Sequence, residues 1–368
     1  MLCLAAAPSG TETANQWALS FLKTNQLWQL SEGSNVTVAV VDTGVQPTAG
    51  LIQALLPGAD FSSGSGLSTG NGQVDTDSDG HGTGMAVLIS GSGDGTETQG
   101  LTKAAKILPI RVLSQQGPGI PFTLAPAISF AVNHGTRVIN LSLGERADDP
   151  AIHAAIQSAL DHDVVVVAAV GNDGSAEPRY PAAYPGVLGV GAIDESGAVW
   201  ERSNFGSDVS IVAPGVHIYR DDNRGRQGYS DGTSEATAYV SAAAALVRSA
   251  HPGWSAGQVV GALTSSADRP AAMGSVTRDD HYGYGILDVL AALKLSAPPE
   301  SAGVGGAASV SPAGGGAGGV VPLTSPGQGR ESGSGGSQVA VVAGGVALGV
   351  AVVAFIGFWV RRAGWRRR

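Results

Sequence analysis

The chain has 368 residues, of which only 14% are charged, with 55 glycines and a formal net charge of −9. That length leaves room for one large domain or two modest ones, and the acidic balance argues against a general nucleic-acid binder. Its one cysteine, Cys3, excludes an internal disulfide framework and a cysteine-based zinc site, and its seven histidines show no metal-ligand spacing.

Residues 1–14 begin MLCLAAAPSG, a short apolar run with small residues. They read as the remnant of a signal peptide or as a disordered N-terminus. The expectation is that the natural protein starts upstream of Met1, with a basic segment and a longer apolar run. Residues 15–295 form the body. NVTVAVVD (35–42), AKILPIRVL (105–113), TRVINLSLG (136–144), DVVVVAAVG (163–171) and GVLGVGAID (186–194) are nearly continuous in apolar residues. Such runs suit buried strands of a parallel sheet covered on both faces. Helical spacing lies between them. Residues 122–133 place Ala127, Phe130 and Ala131 on one face, with Pro126 inside. Residues 149–161 start with Asp149-Pro150, a capping acid and a proline at the first helical position. Residues 255–266 start with Ser255 and Gln258, a capping-box pattern. Alternating strands and helices predict an α/β fold, with a mostly parallel central sheet in three layers.

Residues 296–337 are Gly, Ser, Ala and Pro with little to bury and read as a flexible tether. Residues 338–360 follow. Their uncharged run spans about 33 Å as a helix, against about 30 Å of hydrocarbon, and predicts one transmembrane helix. The basic tail 361–368, RRAGWRRR, should stay cytoplasmic, which places the body outside the cell.

In open α/β sheets the reactive groups collect beyond the carboxyl ends of the strands. There the sequence places Asp42 after VAVV, Ser142 after VINL and Asn172 after VVVAAVG. His81 stands between glycines before a helix, and Ser234 lies in Gly-Thr-Ser before an alanine-rich helix. Each alone reads as a turn or cap residue. Together, in the order Asp, His, Ser, they match one of the known arrangements of a nucleophile, base and orienting acid.

The stretches VAVVDTGV, DGHGTGMA and GTSEATAYV, with VINLSLG and VVVAAVGND between them, resemble the subtilases, the subtilisin-like serine proteases. The resemblance spans about residues 30–295. It implies a serine endopeptidase in which Ser234 is the nucleophile, His81 the base, Asp42 the orienting acid and Asn172 an oxyanion donor. It also implies that Ser142, Leu143 and Gly144 form one wall of the P1 pocket and Ala169, Val170 and Gly171 the other. No cofactor is implied. Subtilases often bind structural calcium, but the sequence locates no ligands for it. The run DTDSDG (75–80) starts like a calcium loop, yet its twelfth position is Ala86 rather than glutamate. It reads instead as a solvated acidic loop beside the cleft.

Within the family, the tether, single span and basic tail resemble the mycosins, membrane-anchored subtilases associated with type VII secretion, as do the mere 41 residues ahead of Asp42. That implies polypeptide substrates, a membrane contact through the C-terminal helix and a type VII-like secretion complex as partner. Two residues depart from the pattern. Glu235 stands directly after the serine, where the family carries Met or Phe, and Ala238 stands in place of proline. A carboxylate there either opposes the developing oxyanion or points to solvent as a first-turn acid. It also keeps open a catalytically weakened scaffold for a membrane complex.

Overall fold

The computed structural model describes residues 15–93, 98–113 and 121–297. The N-terminal stretch, most of the tether, the apolar run and the basic tail lie outside the described residues. No helix among the described residues is long and apolar enough to cross a membrane.

Two short helices, α1 (Trp17–Phe21) and α2 (Thr24–Leu27), precede β1 (Thr37–Asp42) and the two-residue β2 (Ala59–Asp60). Then come α3 (His81–Ser90), β3 (Lys106–Arg111), α4 (Pro121–Asn133), β4 (Val138–Leu141), α5 (Pro150–Asp161), β5 (Val165–Ala169), β6 (Leu188–Ile193) and β7 (Ile211–Pro214). A hairpin of β8 (Ile218–Asp221) and β9 (Gln227–Ser230) leads into α6 (Thr233–Ala250), α7 (Ala256–Ser265) and α8 (Val289–Leu293). Seven strands form one sheet in the order β2-β3-β1-β4-β5-β6-β7, paired parallel throughout. The hairpin is a separate antiparallel pair.

The apolar strand runs follow from cover on both faces. Along β1, Val38 and Val40 enter a core shared with α3, α6, α7 and α8. Their neighbours Ala39 and Val41 enter a second core shared with α4 and α5. The period of two along a strand sends successive side chains into different cores, so both faces of β1 are apolar from Val38 to Val41. The three layers expected from the sequence are therefore present.

Helix starts follow local chemistry. The Asp149 carboxylate accepts from the Ala151 and Ile152 amides at the head of α5, ahead of Pro150. Ser255 and Gln258 close a reciprocal capping box on α7. The central helix α6 is buried from Thr233 to Arg248. Its alanine run lets the backbone pass close beneath β1 and β4–β7, and it continues unbroken through Ala238. A helix apolar on every side belongs in a core.

Periodicity missed the short helices α1, α2 and α8, the strands β2 and β7, and the hairpin. Each of these strands is two to four residues long, too short for a pattern to repeat. In the hairpin, a buried arginine further breaks the apolar alternation.

Candidate active site

Asp42 is the last residue of β1 and fully buried. Its Oδ1 accepts from the Thr43 amide at 2.7 Å and lies 2.8 Å from His81 Nδ1. His81 opens α3, and this first turn comes unusually near the end of β1. A Cβ on Gly82 would lie 2.2 Å from the Gly44 carbonyl oxygen and 3.1 Å from Asp42 Cβ, so only glycine allows the approach. With Nδ1–H directed at the carboxylate, the neutral imidazole keeps the tautomer that leaves Nε2 as acceptor.

The acidic run 75–80 is not the solvated loop expected. Asp75 is buried and accepts from both the amide (3.1 Å) and hydroxyl (2.6 Å) of Thr83 on α3. Asp77 Oδ2 accepts from the amides of Asp79 (3.0 Å) and His81 (3.3 Å). Alternate acids here bond to amides two residues on, the geometry of Asx turns. They fasten the start of α3, and with it His81, which is why the carboxylates turn inward. The Asp-x-Asp-x-Asp spacing carried that signal.

Ser234 lies in the first turn of α6, nearly buried. Its Oγ donates to the Ser142 carbonyl at 3.3 Å, while Ser142 Oγ donates to the Ser234 carbonyl at 3.0 Å. That reciprocal pair joins the end of β4 to the head of α6. The backbone amide of Ser234 is among the N-terminal amides of a helix that have no partner within it. Asn172 follows β5. Its Oδ1 accepts from the Thr233 amide (2.9 Å) and hydroxyl (2.8 Å). A backbone amide can only donate, so the orientation of the Asn172 amide is fixed and Nδ2 points away as a donor. The Ser142–Gly144 and Ala169–Gly171 segments leave the adjacent strands β4 and β5 side by side. A Cβ on Gly144 would come within 3.8 Å of the Ala169 carbonyl oxygen. The ten residues singled out in the sequence thus gather at the carboxyl end of the sheet.

Glu235 does not point to solvent. Only 3% of its surface is exposed, and its Oε1 lies 3.5 Å from Nε of Arg220, itself 1% exposed. Arg220 comes from β8. Sequence reasoning did not find it, because nothing in IYRD distinguishes a buried arginine from one on the outer face of a hairpin.

Burial opposes charge on His81, but the Asp42 carboxylate overrides it through charge and hydrogen bond. Glu235 adds to the rise and Arg220 subtracts, leaving the imidazole raised to about 9. The usual value is about 6.5. The folded state therefore binds this proton more tightly than the unfolded chain does. The resulting stability is fully present below about pH 6.5 and is lost as pH rises through about 9. Melting temperature should fall across that window in a Ser234→Ala background, which prevents self-digestion. His81→Gln should flatten the decline. An equally steep decline in that variant would assign the proton elsewhere.

Among the described residues, no three His, Cys, Asp or Glu side chains converge as a metal-ligand set.

Comparison with known proteins places the fold. The chain is similar in structure to the MycP1 protease of Mycobacterium smegmatis, with a TM-score of 0.69 and 28% identity over 81% of this chain and 90% of that one. It is also similar to the MycP3 protease from the type VII (ESX-3) secretion system, with a TM-score of 0.65 and 32% identity over 79% and 91% of the two chains. Thermitase of Thermoactinomyces vulgaris is 32% identical over 271 residues, 72% of this chain and 92% of thermitase. The chain spans 66% of the length of subtilisin E from Bacillus subtilis (strain 168), to which it is 33% identical over 264 residues. The model of the subtilase family matches residues 33–285, most of the body, and the chain belongs to that family, the S8 family of serine peptidases.

Proposed function

We propose that this subtilase is an extracytoplasmic serine endopeptidase tethered to the membrane by residues 338–360. The observation that carries the catalytic reading is the pair of buried Asp42 and half-buried His81 at 2.8 Å. Ser234 Oγ attacks the peptide carbonyl. His81 Nε2 takes its proton and later returns it to the leaving amine, while Asp42 holds the imidazole and stabilises the imidazolium. Asn172 Nδ2 and the Ser234 amide donate to the oxyanion, where charge develops. An extended substrate lies between Ser142–Gly144 and Ala169–Gly171, pairing along those backbones.

The uncharged run and arginine tail support the membrane anchor. A place beside a type VII-like secretion complex is supported by the similarity to MycP1, described as an essential component of the type VII (ESX-1) system. A membrane-impermeant fluorophosphonate applied to intact cells tests both halves of the proposal. Label on Ser234 in intact cells is the expected result. Label only after lysis would put the body inside. No label on folded protein in either case would reject the enzyme.

A further inference from the structure

Ser142–Gly144 and Ala169–Gly171 stand side by side at the ends of β4 and β5, and each segment ends in a glycine. The stem of one side chain lies against both glycines. A Cβ on Gly144 would come within 3.6 Å of Arg179 Cβ, and a Cβ on Gly171 within 3.0 Å of Arg179 Cγ. Arg179 is held in that place at both ends. At the backbone end, its neighbour Tyr180 exchanges amide and carbonyl with Glu145, both hydrogen bonds at 2.8 Å, an antiparallel bridge directly beyond Gly144. At the other end, the guanidinium forms an ion pair through Nη2 with Oδ2 of Asp173, the residue after Asn172. The Asp173 amide donates to Asn204 Oδ1 at 2.9 Å, which fixes the base of that carboxylate. Arg146 backs the pair, 3.9 Å from Asp173 Oδ2 and 3.0 Å from Glu177 Oε2. Only 11% of the Arg179 side chain is exposed. A stem fixed at both ends swings aside only by breaking a shielded ion pair, which leaves a carboxylate beside Asn172 without its nearest cation.

We propose that the Arg179 stem fills the P1 pocket between its two glycine-ended walls and limits cleavage to peptide bonds that follow a small side chain, such as alanine or serine. The proposal rests on the reading of those two segments as the P1 walls. A leucine or phenylalanine side chain entering between them meets the stem rather than open space, and a packed site resists added volume. Charge does not set the choice. The Arg179 guanidinium is matched by Asp173 and that of Arg146 by Glu177, so neither cation is left over to draw in an acidic side chain. Arg179 is therefore a specificity residue that acts by the room it takes up, with Asp173 as the anchor that keeps it there.

The test is turnover by the full chain of peptide p-nitroanilides that differ only at P1, with Ala, Ser, Leu, Phe or Glu there. In the parent, kcat/KM should be on the order of 10²-fold higher for Ala than for Phe. Arg179→Gly should raise the Phe-to-Ala ratio by a similar factor. Arg179→Ala, which adds less backbone freedom, should move the ratio the same way. A parent that cleaves after Phe as well as after Ala would overturn the inference. So would a preference for Glu, which marks an available cation, and so would an unchanged ratio in the folded Arg179 variants. Failure of the enzyme reading has a different signature, with no peptide turned over and no fluorophosphonate label on Ser234. Binding decides the inference even then. Measured by calorimetry on Ser234→Ala protein, peptides of the same series should bind more tightly with Ala at P1 than with Phe. The reverse order would overturn the inference with or without turnover.

Discussion

Replacing Ser234 with alanine should lower kcat for peptide hydrolysis by on the order of 10⁶-fold, the scale known for the equivalent change in subtilisin. The change removes the hydroxyl at the head of α6 that bonds to the Ser142 carbonyl. His81→Ala should cost about as much, and the two together little more, because neither group acts without the other. Asp42→Asn should cost about 10⁴-fold. That substitution keeps the shape but turns an acceptor facing Nδ1–H into a side chain that also presents donors, and it removes the charge that raises His81. The fold should survive the serine change, since it gives up one 3.3 Å hydrogen bond worth about 1 kcal/mol. Turnover of a chromogenic peptide, read beside thermal unfolding, checks this. Near-parental turnover in folded Ser234→Ala protein would remove the nucleophile assignment.

Asn172→Ala should lower kcat by about 10²–10³-fold with little change in KM, again on the subtilisin scale. The reasoning is geometric. Oδ1 is committed to Thr233, so Nδ2 is the free end, and a donor held this way gains most as the carbonyl oxygen takes up charge. Loss of the Thr233 contacts adds a stability cost of about 1–3 kcal/mol, visible in thermal unfolding. Asn172→Leu, which keeps the volume, should lose as much in kcat. A rise in KM with kcat unchanged would make Asn172 a substrate-binding residue instead.

Much of this was legible in the sequence because long, one-sided patterns are hard to produce in any other way. β1 is apolar from Val38 to Val41, since alternate residues serve opposite cores. Asp149 and Ser255 announce their helices by chemistry confined to four residues. The polar residues at strand ends stood out against apolar runs, and Asp42, His81, Asn172 and Ser234 are where those ends converge. What stayed hidden depends on contacts far apart in the chain. Arg220 and Glu235 meet only because the hairpin and α6 both fold against α3. Glu235 alone offered two simple fates, toward the oxyanion or into water, and a buried partner 15 positions earlier was not among them. Asp75 turned inward for the same kind of reason: its partner, Thr83, belongs to the next helix.

The strand order also shapes how fast the chain can find its fold. β1 lies inside the sheet, third from one edge, and pairs with β3 and β4, whose partner residues follow it by about 70 to 100 positions. The helix that seals one face, α6, does not begin until Thr233. Every parallel pair must close a long loop before its contacts repay the lost chain entropy. Until residue 250 has joined, the apolar faces of β4, β5 and β6 that α6 covers remain open to other chains, so refolding from denaturant should be slow and concentration-sensitive.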